Sequence, residues 1–282
     1  MSKGTILGKT FISMPDGSIR YHPLLDSFQN YWVHPDPPNQ LINIAANATV
    51  GPFPMTARED GHIILSKMMC ERTDEMTIRL YDKARSSWLS NNEVHIDTLV
   101  GNGGLPSRLF EDMFVPATGS MLVQFRDLSG APNAVRFAFG GAKIYHKQAP
   151  AKELKDFLGQ KRLLTFPYFL TPDNGFFTIA ANGVSTQFAT GSSDFDIEIH
   201  KINAVFDEDF TYEIRMRGDS LSNGGEIHCN IGTGTGQLPY VLPQPIILKW
   251  NETMELRFTN LSPINPNVVW FTMIGRAIVL NK

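Results

Sequence analysis

Short runs of alternating polar and apolar residues recur along most of this chain. Thr211-Tyr212-Glu213-Ile214-Arg215-Met216-Arg217, Met254-Glu255-Leu256-Arg257-Phe258 and Asp194-Phe195-Asp196-Ile197-Glu198-Ile199 each carry apolar side chains at every second position. That period sends alternate residues to opposite faces of an extended backbone, so these segments predict half-buried strands. Turn-forming clusters break the runs at regular spacing: Ser222-Asn223-Gly224-Gly225, Gly232-Thr233-Gly234-Thr235-Gly236 and Lys249-Trp250-Asn251-Glu252. One segment alone reads as a convincing helix. Leu154, Phe157 and Leu158 share a face, Pro150 suits the first turn, and Gly159 suits the C-terminal cap.

The alternating pattern occurs twice. Leu89-Ser90-Asn91-Asn92-Glu93-Val94-His95 is matched by Leu221-Ser222-Asn223-Gly224-Gly225-Glu226-Ile227-His228. Gly101-Asn102-Gly103-Gly104-Leu105-Pro106 is matched by Gly234-Thr235-Gly236-Gln237-Leu238-Pro239, and Ile44-Ala45-Ala46-Asn47 by Ile179-Ala180-Ala181-Asn182. A repeat of domain size means two copies of one fold, not a solenoid with units of roughly 20–50 residues. With about seven or eight short strands per copy, the expectation is an all-β chain of two tandem antiparallel β-sandwich, jelly-roll-like domains. The expected divisions are an N-terminal arm over 1–23, a first repeat over 24–146, a linker helix over 147–159 and a second repeat over 160–282. Within the arm, Pro15-Asp16-Gly17-Ser18 separates Thr10-Phe11-Ile12 from Ile19-Arg20-Tyr21 and predicts a small hairpin.

Composition narrows the function. Of 282 residues, 19% are charged, below the roughly 25% of an average soluble protein. The net charge is −3 and no basic run is present, so a nucleic-acid partner is not expected. No apolar stretch approaches the ~20 residues that a membrane-spanning helix needs. Met1 to Gly8 has no apolar core of a secretory signal. Cys70 and Cys229 stand at non-equivalent positions of the two copies, which predicts free thiols in a reducing compartment rather than a repeated disulfide.

Candidate chemistry is sparse. His95 and His228 are equivalent, and each has a glutamate two residues earlier, Glu93 and Glu226, on the same strand face. Such a pair could be half of a zinc site or a base with its orienting carboxylate, but a structural pair is the preferred reading. Gly232 to Gly236 reads G-x-G-x-G without a following helix, so it lacks the context for cradling phosphate. Glycines at the matching place in the first copy suggest a shared backbone need such as positive φ. The acidic turns Arg72-Thr73-Asp74-Glu75, Ser193-Asp194 and Asp207-Glu208-Asp209 offer calcium as a minor alternative to solvated turns. Tyr31-Trp32, Trp88, Trp250 and Trp270 could stack on sugar rings, though Arg136 replaces Trp270 in the first copy, so core or interface packing is preferred. No G-x-S-x-G, H-E-x-x-H or C-x-x-C is present. No enzyme activity, catalytic residue or cofactor is therefore expected, and His95, Glu93, His228 and Glu226 are the low-ranked metal candidates.

The endings of the copies are the most specific feature. Phe125-Arg126-Asp127-Leu128-Ser129 followed by Val135-Arg136-Phe137-Ala138-Phe139-Gly140-Gly141-Ala142-Lys143-Ile144 corresponds to Phe258-Thr259-Asn260-Leu261-Ser262 followed by Val269-Trp270-Phe271-Thr272-Met273-Ile274-Gly275-Arg276-Ala277-Ile278. A strand, an Asx-Leu-Ser turn, a second strand and a closing Gly-x-x-Ile resemble bacteriophage virion structural proteins of jelly-roll type: capsid, collar or decoration proteins. The two-copy layout resembles the double-jelly-roll capsid proteins of tailless icosahedral phages, whose two rolls usually retain little mutual similarity. The legible repeat favours a more recent duplication in a minor virion protein. The resemblance implies a non-enzymatic protein, made in the host cytoplasm and located in the virion. Its partners would be other copies of itself, as a trimer or ring, and other virion proteins. The alternative is a tandem carbohydrate-binding or receptor-binding module of a phage tail.

Overall fold

The computed structural model describes residues 3–6, 9–13, 19–21, 29–36, 41–59, 61–145, 164–222 and 225–279. The expected linker helix over 147–159 lies outside the described residues. In the arm, β1 (Lys3–Ile6), β2 (Lys9–Ser13) and β3 (Ile19–Tyr21) form a three-stranded antiparallel sheet. The predicted hairpin is its β2–β3 half, with Phe11 opposite Tyr21 and Ser13 opposite Ile19.

The first sandwich contains β4 (Gln29–Val33), β5 (Ile42–Ile44), β6 (Thr49–Thr56), β7 (Gly61–Arg72), β8 (Met76–Asp82), β9 (Ser87–Trp88), β10 (Val94–His95), the one-turn helix α1 (Ile96–Leu99), β11 (Ser107–Val115), β12 (Ser120–Asp127) and β13 (Asn133–Tyr145). The second repeats this order: β14 (Thr165–Leu170), β15 (Phe177–Ile179), β16 (Val184–Thr190), β17 (Phe195–Phe206), β18 (Phe210–Met216), β19 (Asp219–Ser220), β20 (Ile227–His228), α2 (Cys229–Gly232), β21 (Tyr240–Leu248), β22 (Thr253–Asn260) and β23 (Asn267–Val279). Each copy makes two antiparallel sheets. In the first, one sheet runs β10-β8-β12-β6 with β9 beside β8, and the other runs β11-β7-β13-β4 with β5 beside β13. The second runs β16-β22-β18 with β19 and β20 beside β18, and β14-β23-β17-β21 with β15 beside β23. Successive long strands alternate between the sheets, which is the jelly-roll winding. The strand count exceeds the expectation because β4/β5 and β9/β10 are interrupted strands, as are β14/β15 and β19/β20.

The shared sequence motifs are fold requirements. Asn47 and Asn182 end the Ile-Ala-Ala-Asn repeat at φ 57° and 51°, a left-handed conformation that asparagine tolerates well. Asn133 and Asn267, the asparagines of the shared Pro-Asn, are buried and receive the backbone N–H groups of the acidic turns. Asp74 N–H donates to Asn133 Oδ1 at 3.0 Å, and Glu208 N–H donates to Asn267 Oδ1 at 3.0 Å. The glycine of the closing Gly-x-x-Ile stands where the ladder shifts register. A Cβ at Gly141 would lie 2.9 Å from the Ile64 carbonyl carbon, and one at Gly275 would lie 2.7 Å from that of Glu198.

Burial follows the alternation. Thr253–Asn260 buries Met254, Leu256, Phe258 and Asn260. The second core is built on aromatics: Phe258 packs against Phe210 at 5.7 Å, Phe271 at 5.2 Å and Phe177 at 4.6 Å between ring centres. The first core uses Met76 and Ile78 where the second uses Phe210 and Tyr212.

Candidate functional site

The two His–Glu pairs are brought to matching places, and both histidines cap a helix. His95 precedes α1 in extended conformation, and its Nδ1 accepts the Asp97 N–H at 3.3 Å. His228 does the same for Asn230 N–H before α2, also at 3.3 Å. Histidine replaces the usual Ser, Thr, Asp or Asn of an N-terminal cap. Neither helix was expected from the sequence. The glutamates are used elsewhere. Glu93 accepts from Thr77 Oγ1 and Arg126 Nη1, both at 3.2 Å. Glu226 accepts from Thr211 and from Thr259 Oγ1, the latter at 2.9 Å. Burial lowers the His95 pKa to about 4, with Arg72 adding to the shift and Asp97 opposing it. Its ring packs on Trp270 at 5.5 Å. Among the described residues, no three His, Cys, Asp or Glu side chains come together as a metal site.

The remaining candidates have structural placements. Gly101 and Gly234 do not adopt positive φ, contrary to the expectation; each is pressed against the backbone of its own loop. A Cβ there would lie 2.8 Å from the Pro106 carbonyl carbon or 2.6 Å from that of Pro239. Trp88 lies under the Arg79 guanidinium at 4.2 Å, and Trp270 stacks on Phe176 at 4.7 Å. Trp32 and Trp250 are exposed, on β4 and on the turn before β22. Cys70 and Cys229 are free. Burial pushes the Cys70 thiol up to about 12 and raises Cys229, which leaves neither a ready nucleophile.

What sequence reasoning missed is the seam between the sandwiches. The segment 85–114 of the first copy lies on the outer face of β14, β23 and β17. At its centre, the Thr98 and Thr272 hydroxyls hydrogen-bond at 2.8 Å, and Asn203 Nδ2 donates to the Thr98 carbonyl at 2.6 Å, all three residues buried. Gly236 N–H donates to the Asp97 carbonyl at 2.6 Å. Beside this, Phe110 stacks on His200 at 3.7 Å, and Arg276 reaches Glu111 at 3.5 Å and Glu198 at 2.7 Å. At the far end, Phe169 N–H donates to the Leu89 carbonyl at 2.9 Å, and Asn91 and Thr171 exchange bonds of 2.8 and 2.9 Å. These bonds tie buried polar groups across the seam, with Asn203 Oδ1 alone of the central atoms left without a partner among the described residues, so the two sandwiches are held in one register. Most of these residues differ between the copies, and a comparison looking for shared residues passes over them.

No protein-family model and no curated protein matches the chain. Among solved structures, it is similar to the atomic structure of Sulfolobus Turreted Icosahedral Virus, at 10% identity over 86% of this chain, with a TM-score of 0.26. It is similar to the infectious bursal disease virus VP2 subviral particle at 11% identity over 95% of this chain, with a TM-score of 0.24. A third likeness is the tandem CBM22-1-CBM22-2 domain of Paenibacillus barcinonensis Xyn10C, at 7% identity over 89% of this chain and 92% of that one, with a TM-score of 0.18. The chain spans 61% of the first of these structures and 74% of the second. At these TM-scores the fold rests on the strand order above, not on the neighbours.

Proposed function

We propose that this protein is a non-enzymatic virion structural protein, a major or minor capsid component that self-assembles and contacts other virion proteins. The observation that carries the reading is the seam. Two jelly rolls of one strand order are locked by buried polar pairs into a single two-domain tile, and viral shells are among the uses of that fold. Fold alone does not fix function. The chemistry supports the reading too: the paired histidines and glutamates serve as caps and strand-to-strand ties, and the shared asparagines build turns. Light scattering on the eluting protein, with electron microscopy of the assembled fraction, tests it. Discrete oligomers, and the same chain in purified particles, are expected. A protein that stays monomeric at high concentration and is absent from particles refutes the proposal.

A further inference from the structure

The seam uses one surface from each copy, so each copy also has a surface that the seam leaves unused. The first copy contributes α1 and β11, and the second contributes the outer face of β14-β23-β17. The strand pairings fix the equivalents. On the second copy, the counterpart of α1 is α2, and Thr98, which is fully buried, corresponds to Ile231, which is 74% exposed. On the first copy, the counterpart of the receiving face is β4-β13-β7, and Phe169, 1% exposed, corresponds to Trp32, 50% exposed. Where α1 sits on the second copy, the first copy has a cavity of about 430 Å³ whose lining includes Met69, Gly103, Arg136 and Ala138. Gly236 closes over α1 so tightly that a Cβ would meet the Val100 backbone at 2.6 Å; at its counterpart Gly103, a Cβ meets nothing within 4 Å.

We propose that this cavity is the seat for α2 of a second copy of the chain, docked in the geometry that α1 already adopts inside the molecule. The inference rests on the shell-protein reading and names the surfaces through which shell subunits meet. The residues differ from the internal seam in matched pairs. Inside, Thr98 meets Thr272 and Asn203; at the open seat Ile231 meets their counterparts, Ala138 and Met69. Inside, Glu111 meets Arg276; at the open seat Gln244 meets Ala142, so neither side buries an unpaired charge. The Gly103 N–H stands ready for the Asn230 carbonyl, as Gly236 serves Asp97. Because the two surfaces are different and lie on different domains, the contact is head-to-tail and builds a ring or a filament.

The test blocks one surface at a time in the full-length protein. Ile231→Glu alters an exposed side chain on the donating surface. Met69→Glu and Gly103→Phe each obstruct the receiving seat, the latter by adding atoms where the isolated chain has open space. By sedimentation, each variant alone is expected to run at the 31.5 kDa of one chain while the unaltered protein assembles. Mixing Ile231→Glu with Gly103→Phe leaves one intact surface of each kind, so the mixture should form a species of two chains and nothing larger. That outcome also shows that both variants are folded. Variants that assemble as the unaltered protein does, or a mixture that stays at one chain, overturn the proposed surfaces while self-assembly stands. An unaltered protein that never leaves 31.5 kDa overturns the proposed surfaces, and its absence from purified particles as well overturns the shell reading itself.

Discussion

Gly232, the last residue of α2, is a glycine because Tyr212 occupies the room a side chain would need. A Cβ there would stand 2.6 Å from Tyr212 Oη and closer still to Ile227 Cγ2. The tyrosine hydroxyl also donates to the Gly232 carbonyl at 2.5 Å. The first copy fills the same space differently: Leu99, Ile78 and Val94, all buried, replace Gly232, Tyr212 and Ile227. Gly232→Leu alone should therefore overpack the second core and disturb the Tyr212 bond. The expected cost is about 1–4 kcal/mol, from ~1–3 for overpacking and ~1 for the bond, less up to ~0.8 of helix propensity. Tyr212→Ile alone should cost about 2–4 kcal/mol through the void it leaves and the unpaired carbonyl. The triple exchange Gly232→Leu, Tyr212→Ile, Ile227→Val adds about four non-hydrogen atoms and removes about five, so it should fall within ~1.5 kcal/mol of the parent. Urea denaturation of the singles and the triple measures the coupling. If Gly232→Leu lies within about 0.5 kcal/mol of the parent, or the triple is no more stable than Gly232→Leu, the two cores are not related by this exchange of volume.

Three further outcomes follow from the same contacts. His95 is neutral in the folded protein, its pKa lowered by burial from 6.5 to about 4; stability should be full above pH 6.5 and fall as pH drops from 6.5 through 4. His95→Asn, which keeps a cap acceptor, should flatten that limb in urea midpoints taken against pH. Burial pushes the Asp127 carboxyl upward, but hydrogen bonds from the Asn47 N–H, Ser129 and Asn133 outweigh it and hold the pKa to about 2 against an ordinary 3.8. Its contribution should be full above pH 3.8 and lost as pH falls through 2, and Asp127→Asn should remove that window along with some stability at neutral pH. Gly236→Ala should lower the thermal midpoint by a few degrees, since crowding against Val100 costs roughly 1–3 kcal/mol. Gly103→Ala should leave the midpoint of the unassembled chain unchanged, and equal effects at the two glycines would contradict the difference in their surroundings.

The doubled, alternating architecture was legible because strands of half-buried sheets write their geometry into every second residue, and two copies write it twice. Strand ends were less legible. Predicted Asp194–Ile199 runs on to Phe206 because the ladder absorbs a register shift between Ile199 and Lys201 instead of stopping. Tyr240–Leu248 is an edge strand despite Pro243 and Pro245, since prolines can be borne where N–H groups need no partner. α1 and α2 escaped because four residues are too few to display a period of 3.6 and histidine is an unusual cap. Both histidines, preferred as structural from the sequence, have their Nδ1 atoms accepting backbone N–H groups, a role that residue spacing does not announce. Thr98, Asn203, Glu111 and Arg276 gave no local signal, because their burial depends on which domain face meets them.

The chemical contrast between the filled seat and the open one follows from how each is closed. The sandwiches are parts of one chain, so their seam forms at a high effective concentration. Such a seam can use hydrogen-bonded and charged pairs, whose attraction largely offsets the cost of removing them from water and whose gain is a fixed register. A seat between chains must overcome about 4–15 kcal/mol of lost translational and rotational freedom. Polar groups that must first leave water contribute little toward that, whereas each exposed apolar side chain taken from water contributes directly. Ile231 and Trp32 are exposed where Thr98 and Phe169 are buried in the seam. The change from Thr98 to Ile231 and from Asn203 to Met69 is the direction this difference requires. It turns a surface suited to holding two domains in register into one suited to drawing two chains together.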